Sequence, residues 1–151
     1  MRYFRLCVPV NGKLIKEFVM DGFSNWFVLE NIFGESFDLN GKELYDMSLC
    51  LFKKEFRISI IIEDSAVNLP RKWVGREKFF AEISFYNVED FSSHICSDAC
   101  RSIPKVNQFV IKSFNMSKSE SSRISVKTEC ETGDTVEFSF ESGKVSRIKP
   151  W

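Results

Sequence analysis

Apolar positions along this chain alternate far more often than they recur at helical spacing, and the alternation begins at once. Phe4, Leu6, Val8 and Val10 fall on one face, Asn11-Gly12 comes next, and a second run extends from Leu14 to Met20. That pattern predicts a hairpin, because Asn-Gly accepts the positive φ angles of a type I′ turn. Asp21-Gly22-Phe23-Ser24-Asn25 reads as a turn, with Ser24 or Asn25 able to cap a short helix. There the period changes. Trp26, Leu29, Ile32 and Phe33 make the single apolar stripe of that helix, and Gly34 can end it in a left-handed conformation.

From Leu44 to Ile62 alternation returns. Leu49 and Leu51 interleave with Cys50 and Phe52, and after Lys53-Lys54-Glu55 the residues Phe56, Ile58, Ile60 and Ile62 share a face. Two tightly joined strands at the sheet centre are expected. Residues 63–72 form a loop, since Pro70 cannot serve a central strand, and Phe79 to Val88 is a strand buried on both faces. Residues 89–103 are expected to be irregular or briefly helical, and Lys105 to Phe114 a strand. Ser113 to Ser122 has too little to bury and reads as a mobile loop. The end is an antiparallel meander: Arg123 to Glu131, a Thr132-Gly133-Asp134 turn, Thr135 to Glu141, a Ser142-Gly143 turn, and Lys144 to Ile148. Ile124, Val126, Thr128 and Cys130 share one face of it, as do Val136, Phe138 and Phe140.

These elements predict an α+β fold that is predominantly antiparallel β. The sheet is curled or doubled into two layers over a Phe-rich core, with one short helix in the N-terminal half and a C-terminal meander. A length of 151 residues fits a single domain, 1–151, burying roughly 70% of its unfolded surface. The first ten residues hold an apolar run too short for a signal peptide, and no stretch approaches the ~20 apolar residues of a membrane span. The cysteines at 7, 50, 96, 100 and 130 are odd in number. Without a secretion signal they predict reduced thiols and a cytoplasmic location.

Formal net charge is zero, but the charges are blocked along the chain. Residues 21–50 carry six acids and one base, residues 129–141 five acids and no base, and residues 101–128 six bases and one acid. Such blocks either mark solvated faces or make a bipolar surface that steers a charged partner.

Little in the sequence carries chemistry. His94, Cys96 and Cys100 are zinc-ligand types, yet only distant Cys130 could complete the set, so neither metal nor cofactor is expected. A Cys–His nucleophile needs an oriented pair that this spacing does not supply. Phosphate-binding glycine loops, His-Glu-x-x-His and Gly-x-Ser-x-Gly are missing. Glu63-Asp64 and Glu89-Asp90 adjoin strand ends, where charged turn residues are ordinary. No catalytic residue is assigned, and enzymatic activity is not expected. Lys53, Lys54, Arg57, Arg71, Lys72, Arg76 and Lys78, interleaved with Phe52, Phe56 and Trp73, are the residue types of a nucleic-acid stacking groove. A sequence pI near 6.6 argues against it.

Three segments together resemble a known family: Trp26-Phe27-Val28-Leu29-Glu30-Asn31-Ile32-Phe33-Gly34, then Pro70-Arg71-Lys72-Trp73, then Phe85-Tyr86-Asn87-Val88-Glu89-Asp90. They are similar to segments of the immunity protein 50 family, bacterial antidotes to polymorphic and contact-dependent toxins. The resemblance spans residues 25–91, with Val145-Ser146-Arg147-Ile148 in weaker support. The chain departs from the family at Glu35-Ser36-Phe37, where a proline commonly precedes the next aromatic. It departs again at Asn87, where glycine is expected and asparagine can stand in because it also accepts positive φ. The resemblance implies a cytosolic protein, monomeric when free, that binds one cognate toxin domain and does no chemistry. It carries over no toxin-contacting position. On charge alone, Glu30, Glu35, Asp38, Glu43 and Asp46 are the candidate acidic face for the basic groove of a nuclease toxin, with Tyr45 as an aromatic anchor beside them. The alternative is a nucleic-acid or general interaction module of phage or mobile-element origin.

Overall fold

The computed structural model describes residues 22–94, 109–118 and 120–151. The hairpin expected over residues 3–20, the residues 105–108, and Cys7, Cys96 and Cys100 lie outside them. The described elements are β1 (Phe23–Ser24), α1 (Trp26–Phe33), β2 (Glu43–Cys50), β3 (Glu55–Ile62), β4 (Phe79–Tyr86), β5 (Glu89–His94), β6 (Ile111–Lys118), β7 (Ile124–Cys130), β8 (Thr135–Phe140) and β9 (Ser142–Pro150). They form two open sheets, a five-stranded one in the order β1-β9-β4-β3-β2 and a four-stranded one in the order β5-β8-β7-β6. All pairings are antiparallel except β1 with β9.

Alternation decides which side of each strand meets the core. In β3, Phe56, Ile58, Ile60 and Ile62 point inward and lie opposite Phe85, Ile83, Ala81 and Phe79 of β4. All eight are buried. One half of that inner face is covered by α1, where Phe33 meets Phe79 at 5.5 Å between ring centroids. The four-stranded sheet covers the other half, with Phe138 and Phe140 each 5.0 Å from Phe85. Phe23 joins the halves, touching Trp26, Phe85 and Phe140. It does so by lying on Gly143, where any Cβ would overlap its ring. Buried aromatics in edge-to-face contact contribute about 0.5–1.5 kcal/mol per pair beyond their area, so this cluster binds the layers to one another.

The helix is where its stripe predicts, with Trp26, Leu29, Ile32 and Phe33 all buried. Asn25 is the capping residue, but it sits at φ 66 and its side chain makes no cap bond. Gly34 ends the helix at φ 105, ψ 157, and its N–H donates to the Glu30 carbonyl. Trp73, on a single 3-10 turn (Arg71–Trp73), packs 5.9 Å from Phe79 and pins the long loop.

Several expectations are corrected. Residues 89–94 are a strand, β5, because pairing with β8 satisfies a polar backbone that had no apolar signal of its own. Ser113 to Lys118 is likewise not a loop but most of β6, paired with β7. Its inward residues Phe114 and Met116 are half-buried. The meander is β6-β7-β8, and Ser142-Gly143 is no turn: β9 leaves it for the other sheet and pairs with β4. Of the two strands expected at the sheet centre, β3 is interior and β2 is an edge.

Candidate partner-binding surface

The outer face of the five-stranded sheet is polar over most of its area. Opposite positions give Asp46, Ser59, Glu82 and Arg147 in one row and Ser48, Arg57 and Ser84 in the next. Arg57 donates to Glu55 at 2.8 Å and lies 3.8 Å from Glu82. Its pKa is raised, first by that bond to Glu55. Ser84 and Ser146 hydroxyls share a hydrogen bond of 2.9 Å.

At one corner the face turns aromatic. Tyr45 stands edge-on to Trp151 at 4.9 Å and to Phe80 at 6.2 Å. Lys149 Nζ lies 5.2 Å over the Phe80 ring. Phe80 is buried beneath these neighbours, while Tyr45 is 58% and Trp151 52% exposed. A register bulge between Leu44 and Asp46 places Tyr45 and Asp46 beside each other on the outer side, since a bulge gives two residues one partner position.

The six residues expected on one acidic face occupy two sides of the sheet. Glu43, Tyr45 and Asp46 share the outer side with Phe80 and Trp151. Glu30 lies on α1, and Glu35 and Asp38 lie in the turn after it, in the layer packed on the Phe79 side. Asp38 is occupied locally, its Oδ1 accepting the Asn40 N–H at 3.0 Å.

Sequence reasoning missed the apolar side of β2. Met47, Leu49, Leu51 and Phe52 are exposed, Phe52 completely, and Phe109 joins them next to Leu44. The local alternation of β2 reads the same for an interior strand as for an edge, so only long-range pairing reveals the difference. Trp151 comes to Tyr45 through the β4–β9 register, in which Phe79 faces Pro150.

The basic cluster near β3 is dispersed. Lys54 pairs with Glu89 at 3.3 Å, Arg57 with Glu55, and Lys78 with Glu63, while Phe56 lies in the core. Lys78 has a raised pKa, chiefly from its hydrogen bond to Glu63. A hollow of about 390 Å³ between residues 63–69 and 76–79 is lined by Glu63, Asp64, Arg76 and Lys78. Asp64 and Glu63 in it are already paired, with Lys42 and Lys78. A void of about 20 Å³ between the sheets, lined by Leu44, Met47, Phe56 and Thr128, has room for little more than a water. Among the described residues no three His, Cys, Asp or Glu side chains gather as a metal site would need, and no helix is long and apolar enough to cross a membrane. Cys50 and Cys130 are both free thiols.

No curated protein matches the chain. Among solved structures, an uncharacterized protein from Neisseria gonorrhoeae is similar at 13% identity, over 76% of this chain and 95% of that one, with a TM-score of 0.47. A family model described as Immunity protein 50 matches residues 25–151, the helix, both sheets and the exposed corner included, and the chain belongs to that family.

Proposed function

We propose that this chain is a non-catalytic inhibitor that binds one cognate toxin domain in the bacterial cytoplasm and blocks its active site or the path of its substrate. The observation that carries this reading is the family match over residues 25–151. The outer corner supplies the means. Tyr and Trp are the residue types that dominate interface energetics when they sit exposed at the centre of a contact, and Tyr45 and Trp151 lie side by side there. Glu43 and Asp46 beside them bring negative charge suited to a basic, phosphate-binding groove such as a nuclease toxin presents. Three of the cations that the nucleic-acid alternative would use, Lys54, Arg57 and Lys78, are paired with carboxylates, which counts against it.

The test is co-expression of the tagged chain with the C-terminal domain encoded by the gene directly upstream. A stable one-to-one complex, with growth restored when the toxin domain is induced, is the expected result. A harmless upstream product that does not co-purify would remove the reading.

A further inference from the structure

β2 ends the five-stranded sheet, and among the described residues its outer side is covered only at its beginning. Leu44 N–H donates to the Phe109 carbonyl at 2.6 Å, and Ile111 N–H donates to the Lys42 carbonyl at 2.9 Å. Because the Leu44 N–H points away from β3, Leu44 and Ile60 are a pair without mutual hydrogen bonds. Antiparallel ladders alternate such pairs with bonded ones. Stepping by two along β3 reaches Ile58 and Phe56, opposite Met47 and Leu49. Met47 and Leu49 therefore turn their N–H and C=O groups to the open side, while Asp46 and Ser48 turn theirs to β3. Among the described residues, nothing accepts or donates at Met47 or Leu49 on that side.

Edges of natural sheets are ordinarily blunted by lysine, proline or a covering segment, because a bare edge recruits strands. Between Tyr45 and Cys50 the sole charge is Asp46, and neither lysine nor proline occurs. The side chains are also those of a strand awaiting a neighbour. Met47 and Leu49 point to the sandwich interior yet remain 45% and 36% exposed, and Leu51 and Phe52 continue the apolar strip at the hairpin tip. An added strand would bury this strip and continue the ladder.

We propose that the free edge of β2 receives an extended segment of the toxin domain as an added strand. Alternate residues of that segment are apolar and pack on Met47 and Leu49, and a lysine or arginine on its other face lies across from Asp46. Charge favours this occupant: Asp46 is exposed with no ion-pair partner among the described residues. The family match over residues 25–151 includes this edge. The proposal rests on the inhibitor reading and specifies how that inhibitor holds its target, by main-chain pairing with alternate side-chain pockets.

The experiment is residue-resolved amide exchange on the full chain, free and bound to the upstream-encoded toxin domain. In the free chain, Met47 and Leu49 amides exchange fast and the Ser48 amide, already bonded to β3, exchanges slowly. On binding, Met47 and Leu49 should slow by on the order of a hundredfold while Ser48 changes little. In parallel, Leu49→Pro removes an outward-facing donor and the leucine side chain without touching a bond to β3, and Met47→Lys sets a charge on the strip; each should weaken the complex about tenfold or more with the fold retained by circular dichroism. Binding of the toxin domain with Met47 and Leu49 still exchanging fast overturns strand addition and leaves the inhibitor reading standing. Slow exchange of both amides already in the free chain means that another part of the chain, or at higher concentration a second copy, occupies the edge, and also overturns it. Absence of any complex overturns both.

Discussion

Asn87 Nδ2 donates to Glu141 Oε2 at 2.9 Å, and this bond joins the two points at which the chain changes sheets. Asn87 lies between β4 and β5, and Glu141 lies between β8 and β9. Arg123 closes the arrangement, donating to the Asn87 carbonyl, to Glu141 at 3.2 Å and to the Ser139 hydroxyl at 3.2 Å. Asn87 itself is at φ 53, a left-handed conformation that only Gly, Asn and Asp visit readily. Asn87→Gly should therefore cost about 0.5–1 kcal/mol, the side-chain bond alone. Asn87→Ala adds the conformational strain and should cost about 2 kcal/mol. Urea denaturation of the two variants measures the difference. Equal losses would mean that the backbone at position 87 is unstrained.

Lys42 is a buried cation with one carboxylate partner. Its Nζ lies 2.9 Å from Asp64 and 3.2 Å from the Asn40 carbonyl, with the Phe37 ring 5.2 Å away. Removing one member of a buried pair strands the other charge, which costs about 3–5 kcal/mol in full burial. Asp64 is 39% exposed, so water can partly replace it, and Asp64→Ala should cost about 2 kcal/mol. Lys42→Met removes the ammonium together with its desolvation and keeps the aliphatic stem, and should cost less. Chemical denaturation orders the pair, and a larger loss for Lys42→Met would show that the ion pair is net stabilising.

The Cys130 thiol has a raised pKa, principally from burial, with Asp134 and Glu129 adding to it. In the folded state this thiol keeps its proton to higher pH than in the unfolded chain, whose value is near 9.0. The stability it contributes is complete below that value and is lost as pH rises through it toward the folded-state value. Melting temperature should therefore fall above about pH 9 more steeply in the wild type than in Cys130→Ala. Mass-resolved alkylation gives a second readout: exposed Cys50 should be modified in the native protein and Cys130 only after unfolding. Parallel alkaline slopes for the two proteins would refute the linkage.

Where apolar residues recur at strand or helix spacing, the sequence was transparent. Phe56 to Ile62, Ile124 to Cys130 and the Trp26 stripe could each be assigned to a face before any contact was known, and the structure places them there. Asn87 was legible through the resemblance, which expects glycine there, and asparagine accepts the same positive φ. What escaped was non-local. β5 and β6 carry mostly polar residues, and their strand state comes from neighbours that accept their backbone bonds. Ser142-Gly143 looks like a turn locally, and becomes a strand because it pairs with the end of β4, while its glycine leaves room for the Phe23 ring. The candidate surface was half visible for the same reason. Tyr45 and Asp46 could be named, but the edge position of β2, and with it the exposure of Met47 and Leu49, comes from strand order alone.

The Tyr45–Trp151 pair separates binding from stability. Both rings are more than half exposed, although they cover Phe80, so truncating either should lower folding stability by about 1 kcal/mol. If they anchor the toxin domain, Tyr45→Ala or Trp151→Ala should each cost about 2 kcal/mol of affinity, roughly thirtyfold in Kd. Acidic residues act through a different quantity. Reversing Glu35, Asp38 and Glu43 to Lys should slow association and flatten its salt dependence while altering dissociation little. Since Glu43 shares the outer face with Tyr45 and the other two lie with α1 across the sheet, single reversals distinguish the sides. Kinetics at two ionic strengths read both effects. An association rate changed less than about threefold by the triple reversal would eliminate the acidic face, and full affinity in Tyr45→Ala would move the binding surface away from this corner.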